Sequence, residues 1–112
     1  MSAEAVERQP VLEMAGPMTV KEVESLVFVA ARSRPQFEAS QRTWLEDDRS
    51  WFIRWREARD GAPLRIVGLV HAFQLPEMAC RVELLSFDDE PAPALGEYAD
   101  MLRKELETEG FA

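Results

Sequence analysis

Between Trp51 and Phe87 the apolar positions alternate with period two through three consecutive segments, the pattern of strands whose side chains point to opposite faces. Turn chemistry separates the segments. Arg59-Asp60-Gly61-Ala62 carries the Asp-Gly pair that a two-residue type I′ hairpin prefers, and Pro76-Glu77-Met78 supplies a second turn. With Asp60 and Gly61 as the loop, Trp55 faces Ile66, Ile53 faces Gly68 and Trp51 faces Val70. The second turn sets Ala72 against Val82 and Val70 against Leu84. Together the two turns predict one apolar core face made of Trp51, Ile53, Trp55, Leu64, Ile66, Val70, Cys80, Val82 and Leu84.

The opposite face of the predicted sheet holds Phe52, Arg54, Arg56, Arg65, Val67, Leu69, His71, Phe73, Arg81, Glu83, Leu85 and Phe87. This face is mixed. Its long middle strand is apolar on both sides, whereas an antiparallel sheet with one solvated face alternates more cleanly. The second face is therefore expected to be covered in part, by a helix or by another copy of the protein.

The flanking segments read as helices and one short strand. Val11 to Met14 is expected as a short edge strand. Thr19 with Glu22 three residues on forms a capping box, after which Val20, Val23, Leu26, Val27, Ala30 and Ala31 line one helical face, widened by Phe28 and Val29. Pro35 breaks that helix from the next. Gln36 to Glu46 predicts a second, shorter helix with Phe37, Trp44 and Leu45 inward. A final helix spans about Ala94 to Glu109, with Leu95, Tyr98, Ala99, Leu102 and Leu106 on one stripe and Gly110 just past its end. The predicted fold is α+β in the order (β)ααβββα: a three-stranded antiparallel meander, with a short N-terminal edge strand, packed against helices. Residues 1–10 read as a disordered arm and 11–112 as a single domain.

Composition narrows the function classes. Thirteen basic against 21 acidic residues leave a formal charge of −8, which argues against nucleic acid as a partner and suits a basic protein partner. The acidic groups gather at Glu46-Asp47-Asp48, at Asp88-Asp89-Glu90 and from Glu105 to Glu109. The longest apolar run, Leu26 to Ala31, is far short of the roughly 18 to 20 residues of a membrane span. The N-terminus is polar and acidic, unlike a signal peptide, so cytoplasmic placement is expected. A lone cysteine, Cys80, excludes an intrachain disulfide and reads as a small buried hydrophobe.

Few residues carry chemistry. His71 is the single histidine and falls across from Glu83, with Arg81 and Arg65 nearby; a histidine beside a carboxylate is the raw material of a general base, and equally of a structural cross-strand pair. One histidine and one cysteine cannot build a zinc site. Asp88-Asp89-Glu90 lacks the spacing of a calcium loop. No Gly-x-Ser-x-Gly, Gly-x-Gly-x-x-Gly or Walker loop occurs. No catalytic residue, cofactor or metal ligand is assigned. Trp51 and Trp55 are assigned to the core and Trp44 to a helix stripe, with an aromatic ligand wall as the alternative.

The order of elements from Val11 onward, with Phe37 to Trp44-Leu45, Trp51-Phe52-Ile53, Asp60-Gly61, Ile66-Val67-Gly68-Leu69-Val70 and Val82-Glu83-Leu84-Leu85, resembles the N-terminal half of the GCN5-related N-acetyltransferase fold. The resemblance implies an acetyl-CoA pyrophosphate loop, Arg/Gln-x-x-Gly-x-Gly/Ala, before the last helix. Here that position reads Ser86-Phe87-Asp88-Asp89-Glu90-Pro91-Ala92-Pro93-Ala94-Leu95-Gly96, with no basic residue, one glycine and three successive carboxylates. It implies a shortened relative that has lost acyl transfer.

The preferred reading is a small acidic, non-enzymatic interaction protein. Phe52, Val67, Leu69, Phe73, Leu85 and Phe87 form its apolar centre, Arg54, Arg56, Arg65 and Glu83 its rim, and it self-associates as a homodimer or binds a protein partner. The alternatives are a truncated relative that binds acyl-CoA or an acyl carrier, and an acidic decoy that offers its carboxylates to a basic protein.

Overall fold

Among the described residues seven elements run in the order β1 (Leu12–Gly16), α1 (Val20–Arg32), β2 (Phe37–Trp44), β3 (Asp48–Trp55), β4 (Arg65–Leu75), β5 (Ala79–Ser86) and α2 (Pro93–Thr108). The computed structural model describes residues 9–112, so the expected N-terminal arm falls, for residues 1–8, outside the described residues. The α+β class holds, but the sheet is wider than a three-stranded meander. Five strands in the order β1-β5-β4-β3-β2 pair antiparallel throughout, with β4 at the centre.

The expected second helix is strand β2. Phe37 and Ala39 are buried while Glu38 is exposed and Ser40 half-buried, a period of two. Trp44 and Leu45, expected inward on a helix stripe, are 60% and 57% exposed at the β2–β3 turn. Pairing with β3 decides the matter, because an edge position beside a strongly apolar strand offers the segment a full ladder that outweighs its helix propensity.

In the centre of the sheet the expected register holds: Trp51 pairs with Val70, Ile53 with Gly68, Val70 with Leu84 and Ala72 with Val82. The β3–β4 connection differs. It is a nine-residue loop, residues 56–64, in which Asp60-Gly61 makes only a local turn closed by Ala62 N–H to Arg59 O. A β-bulge follows at Val67, since Ile53 pairs with Gly68 and Arg54 with Ile66. The extra residue reverses the alternation. Val67 turns into the core at 1% exposure, and Ile66 pairs with Arg54 on the other face; both expected assignments are thereby exchanged.

The two helices cover one face of the sheet. Thr19 and Glu22 form the capping box that starts α1, and its buried stripe Val20, Val23, Leu26, Val27, Ala30 and Ala31 joins Trp51, Ile53, Val70, Val82 and Leu84 in one core. α2 adds Leu95, Tyr98, Leu102 and Leu106, and the Tyr98 hydroxyl donates to Val27 O at 2.9 Å, tying the helices together. Burial pushes the Tyr98 phenol well above its usual range. Close approach of α2 to the sheet depends on Gly68, where a Cβ would lie 2.5 Å from Leu95 Cδ1 and 2.9 Å from Leu85 O.

Beyond α2 the chain closes in a Schellman motif. Gly110, at φ 95°, donates to Glu107 O and Phe111 donates to Leu106 O. The motif drives the Phe111 ring into the core against Gly16, and Ala112 exchanges two backbone hydrogen bonds with Ala15. Part of the β1 edge is thus occupied. Among the described residues no helix is long and apolar enough to cross a membrane.

Candidate functional site

With both helices on one side, the other side of the sheet is left without a covering element among the described residues. Paired positions run across it in rows. One row is Ala15, Arg81, Phe73 and Asp48; the next is Glu13, Glu83, His71, Ser50 and Thr43; a third is Leu85, Leu69, Phe52 and Ser40; a fourth pairs Ile66, Arg54 and Glu38. Along β4 and β5 the helix-side residues Val70, Ala72, Val82 and Leu84 are buried, while Leu69, His71, Phe73, Arg81, Glu83 and Leu85 remain half-buried. Phe87, just past β5, is 51% exposed.

Phe52 is the aromatic centre of this face. Its ring meets Phe87 edge-on at 6.4 Å, and the guanidinium carbons of Arg54 and Arg42 each lie 5.9 Å from its centroid. Arg54 is fixed by an Nε–H hydrogen bond to Ser40 Oγ at 3.1 Å. Aromatic rings flanked by arginine are the composition that dominates protein interfaces.

His71 pairs across the strands with Glu83, as the turn chemistry predicts, but its hydrogen bond goes elsewhere. His71 Nε2 lies 2.9 Å from Asp48 Oδ1, and the imidazole stacks obliquely on Phe73 at 5.0 Å. Glu83 faces Glu13 on the other side, a like-charge pair relieved by Arg81, which donates to Glu13 at 2.6 Å. The face is therefore a mosaic: an apolar band through Leu85, Leu69 and Phe52, and charged groups of both signs above and below it.

Of the twelve residues expected on this surface, nine come together there: Phe52, Arg54, Leu69, His71, Phe73, Arg81, Glu83, Leu85 and Phe87. Val67 is withdrawn into the core by the bulge. Arg56 lies past the end of β3, where its N–H bonds Gln36 O and its side chain lines a hollow with Pro35, Gln36 and Arg59. Arg65 pairs with Trp55 at that same end, beside Glu57, Arg59 and Pro63. Asp48, Ile66 and Glu13 belong to the open face and were not expected there. Asp48 is concealed in the sequence by the run Glu46-Asp47-Asp48, and only the register of β3 singles it out.

The two nucleophilic groups nearest the face, Ser50 and Cys80, are both buried. Asp48, His71 and Ser50 adjoin one another, yet the Ser50 hydroxyl is sealed from solvent and hydrogen-bonds nothing, so a substrate has no route to it. Cys80 is buried, and loss of solvation pushes its thiol up to about 11, well on the protonated side at neutral pH. No group of three or more metal-ligating side chains is assembled among the described residues.

On the helix side, the buried Arg49 donates to Leu45 O at 2.9 Å, lies 4.5 Å beneath Trp44 and approaches Glu24 at 3.9 Å. Glu24 also accepts from the Trp51 indole at 3.3 Å. This cluster pins the β2–β3 turn to α1.

Fold and surface together define a two-layer α+β protein with two helices on one side of an antiparallel sheet and an open second side. Compared with protein-family models, with curated proteins and with solved structures, the chain matches none of them.

Proposed function

We propose that the protein is an interaction domain that binds another protein chain through the helix-free face of its sheet. The observation that carries this reading is the open apolar band of Leu85, Leu69 and Phe52, continued by Phe87, across the central strands, with Phe73 one row beyond His71. Contiguous apolar patches of this kind on a soluble surface mark sites of association. Arg54, Arg81, Glu83 and Asp48 border the band and supply specificity through charge.

The acidic-decoy alternative draws on the exposed carboxylates at Glu46, Asp47 and residues 88–90 and predicts binding that weakens steeply with salt. Binding through the apolar band predicts a shallow salt response. The acyl-CoA alternative has to accommodate Asp88, Asp89 and Glu90 directly ahead of α2, whose Ala92 cap offers no side-chain donor.

The test is a binding titration. Tagged protein recovers its partner, or untagged copies of itself, and the purified pair is titrated with wild type, Leu69→Asp and Asp100→Lys on α2. The reading expects Leu69→Asp to weaken binding at least tenfold and Asp100→Lys to leave it unchanged. Equal binding by Leu69→Asp, with the fold intact by circular dichroism, contradicts it.

A further inference from the structure

The open face carries its own complement. Resting on the interaction reading above, we infer that the occupant is a second copy of this chain, seated face to face about a two-fold axis that runs along β4 between the two sheets. Because β4 is the central strand, this rotation lays β3 over the partner's β5 and β2 over the partner's β1. Each row stays opposite itself, reversed. Phe52 then meets the partner's Leu85, Asp48 meets the partner's Arg81, and Arg54 meets the partner's Phe87. Leu69 and Phe73 meet their own counterparts on the axis.

In the Leu69 row apolar groups thus fall on apolar groups, and in the Phe73 row Asp48 and Arg81 meet with opposite charge. In the row between them His71 meets its own counterpart and Glu83 meets the partner's Ser50. Arg81 gives one donor nitrogen to Glu13 and Asp48 one oxygen to His71, so each keeps capacity for the other across the axis. An axis across the strands that passes midway between the His71 and Leu69 rows sets Glu83 on the partner's Leu85 and His71 on the partner's Leu69, burying polar groups against apolar ones.

Size and edges agree with this choice. Five strands by eight residues give roughly 24 Å by 27 Å, a flat footprint on the order of 650 Å² that side-chain relief raises toward the about 800 Å² each partner buries in a stable complex. Pairing through the sheet edges is obstructed: β1 carries the Ala15–Ala112 bonds along part of its length, and β2 is bulged between Gln41 and Thr43.

Thiol crosslinking tests the geometry, since Cys80 is fully buried and leaves an introduced cysteine as the accessible thiol among the described residues. The probe is a short bismaleimide matched to the roughly 10 Å spacing of stacked sheets. Leu69→Cys is expected to crosslink to itself. Thr43→Cys mixed with Glu13→Cys is expected to crosslink several-fold more than Thr43→Cys alone, whose two thiols would be offset laterally by four strand spacings, about 19 Å. Self-crosslinking of Thr43→Cys at the yield of the mixture overturns the axis. No crosslink in any variant, with wild type sedimenting as a monomer, overturns the second copy as occupant. The interaction reading is then judged separately: it survives if Leu69→Asp weakens binding of a different recovered protein, and fails if it does not.

Discussion

Phe52 on β3 and Phe87 beyond β5 meet edge-on across the central strand, with ring centroids 6.4 Å apart and planes at 78°. The bulge at Val67 makes this contact available, because it removes the side chain that would otherwise stand on β4 at this level, and Phe87 N–H bonds Val67 O at 3.1 Å. A double-mutant cycle of Phe52→Ala and Phe87→Ala, followed by urea unfolding at low protein concentration, is expected to give a coupling of about 0.5–1.5 kcal/mol. Purely additive losses would show that the two rings act independently.

Gly68 sets the distance between α2 and the sheet. Gly68→Ala is expected to destabilise by about 1–3 kcal/mol, as overpacking of a tight core does, because its Cβ would strike Leu95 and Leu85 O. Gly96, where an added Cβ meets nothing within 4 Å, is the control. Gly96→Ala on the exposed face of α2 is expected to stabilise by up to about 1 kcal/mol through helix propensity. Thermal or urea unfolding of both variants distinguishes contact from backbone effects.

The β4–β5 turn holds two non-glycine residues at positive φ, Glu77 at 64° and Met78 at 63°, closed by Ala79 N–H to Pro76 O. Positive φ at both central positions is the requirement of a type I′ turn, which Asn-Gly meets without strain. Glu77→Asn with Met78→Gly is therefore expected to raise stability by about 1 kcal/mol or more. A lowered unfolding midpoint would contradict it.

The α1 cap carries a pH signature. The Thr19 backbone N–H, and secondarily its hydroxyl, bonds the Glu22 carboxylate and holds its pKa below the ordinary range. A depressed carboxylate contributes stability above its unfolded pKa and loses it as pH falls through the folded value. Thr19→Ala is expected to cost about 1 kcal/mol at neutral pH, the usual loss of an N-cap. Its deficit against wild type should shrink as pH drops below the ordinary carboxylate range, in unfolding measured from pH 7 downward. A deficit that is constant with pH would show that the Thr19 hydroxyl bond does not help to hold the Glu22 carboxylate ionised.

Much of this was legible in the residues. Alternation along Ile53, Val70, Val82 and Leu84, joined to the Pro76-Glu77-Met78 turn, fixes the central register and brings His71 opposite Glu83. Helix α1 announces itself through Thr19 and Glu22, and the end of α2 through Gly110. The strand β2 was hidden because Phe37, Trp44 and Leu45 happen to fall at helical spacing in a segment of good helix formers. Nothing local marks the Val67 bulge, since Ile66 and Val67 are interchangeable apolar residues until a partner strand selects one of them. The choice of Asp48 by His71 is equally non-local. It depends on where β3 begins, which an acidic run without apolar punctuation leaves open.

The proposed interface requires the helix-free face to be covered in solution, and hydroxyl-radical footprinting across a protein dilution series reads that directly. We expect Phe52, Phe73, Leu85 and Phe87 to lose reactivity as concentration rises, while Trp44 and Met78, 60% and 69% exposed away from that face, stay reactive throughout. Reactivity of the face that does not change with concentration or with added partner, or protection confined to Trp44 and Met78, would contradict it.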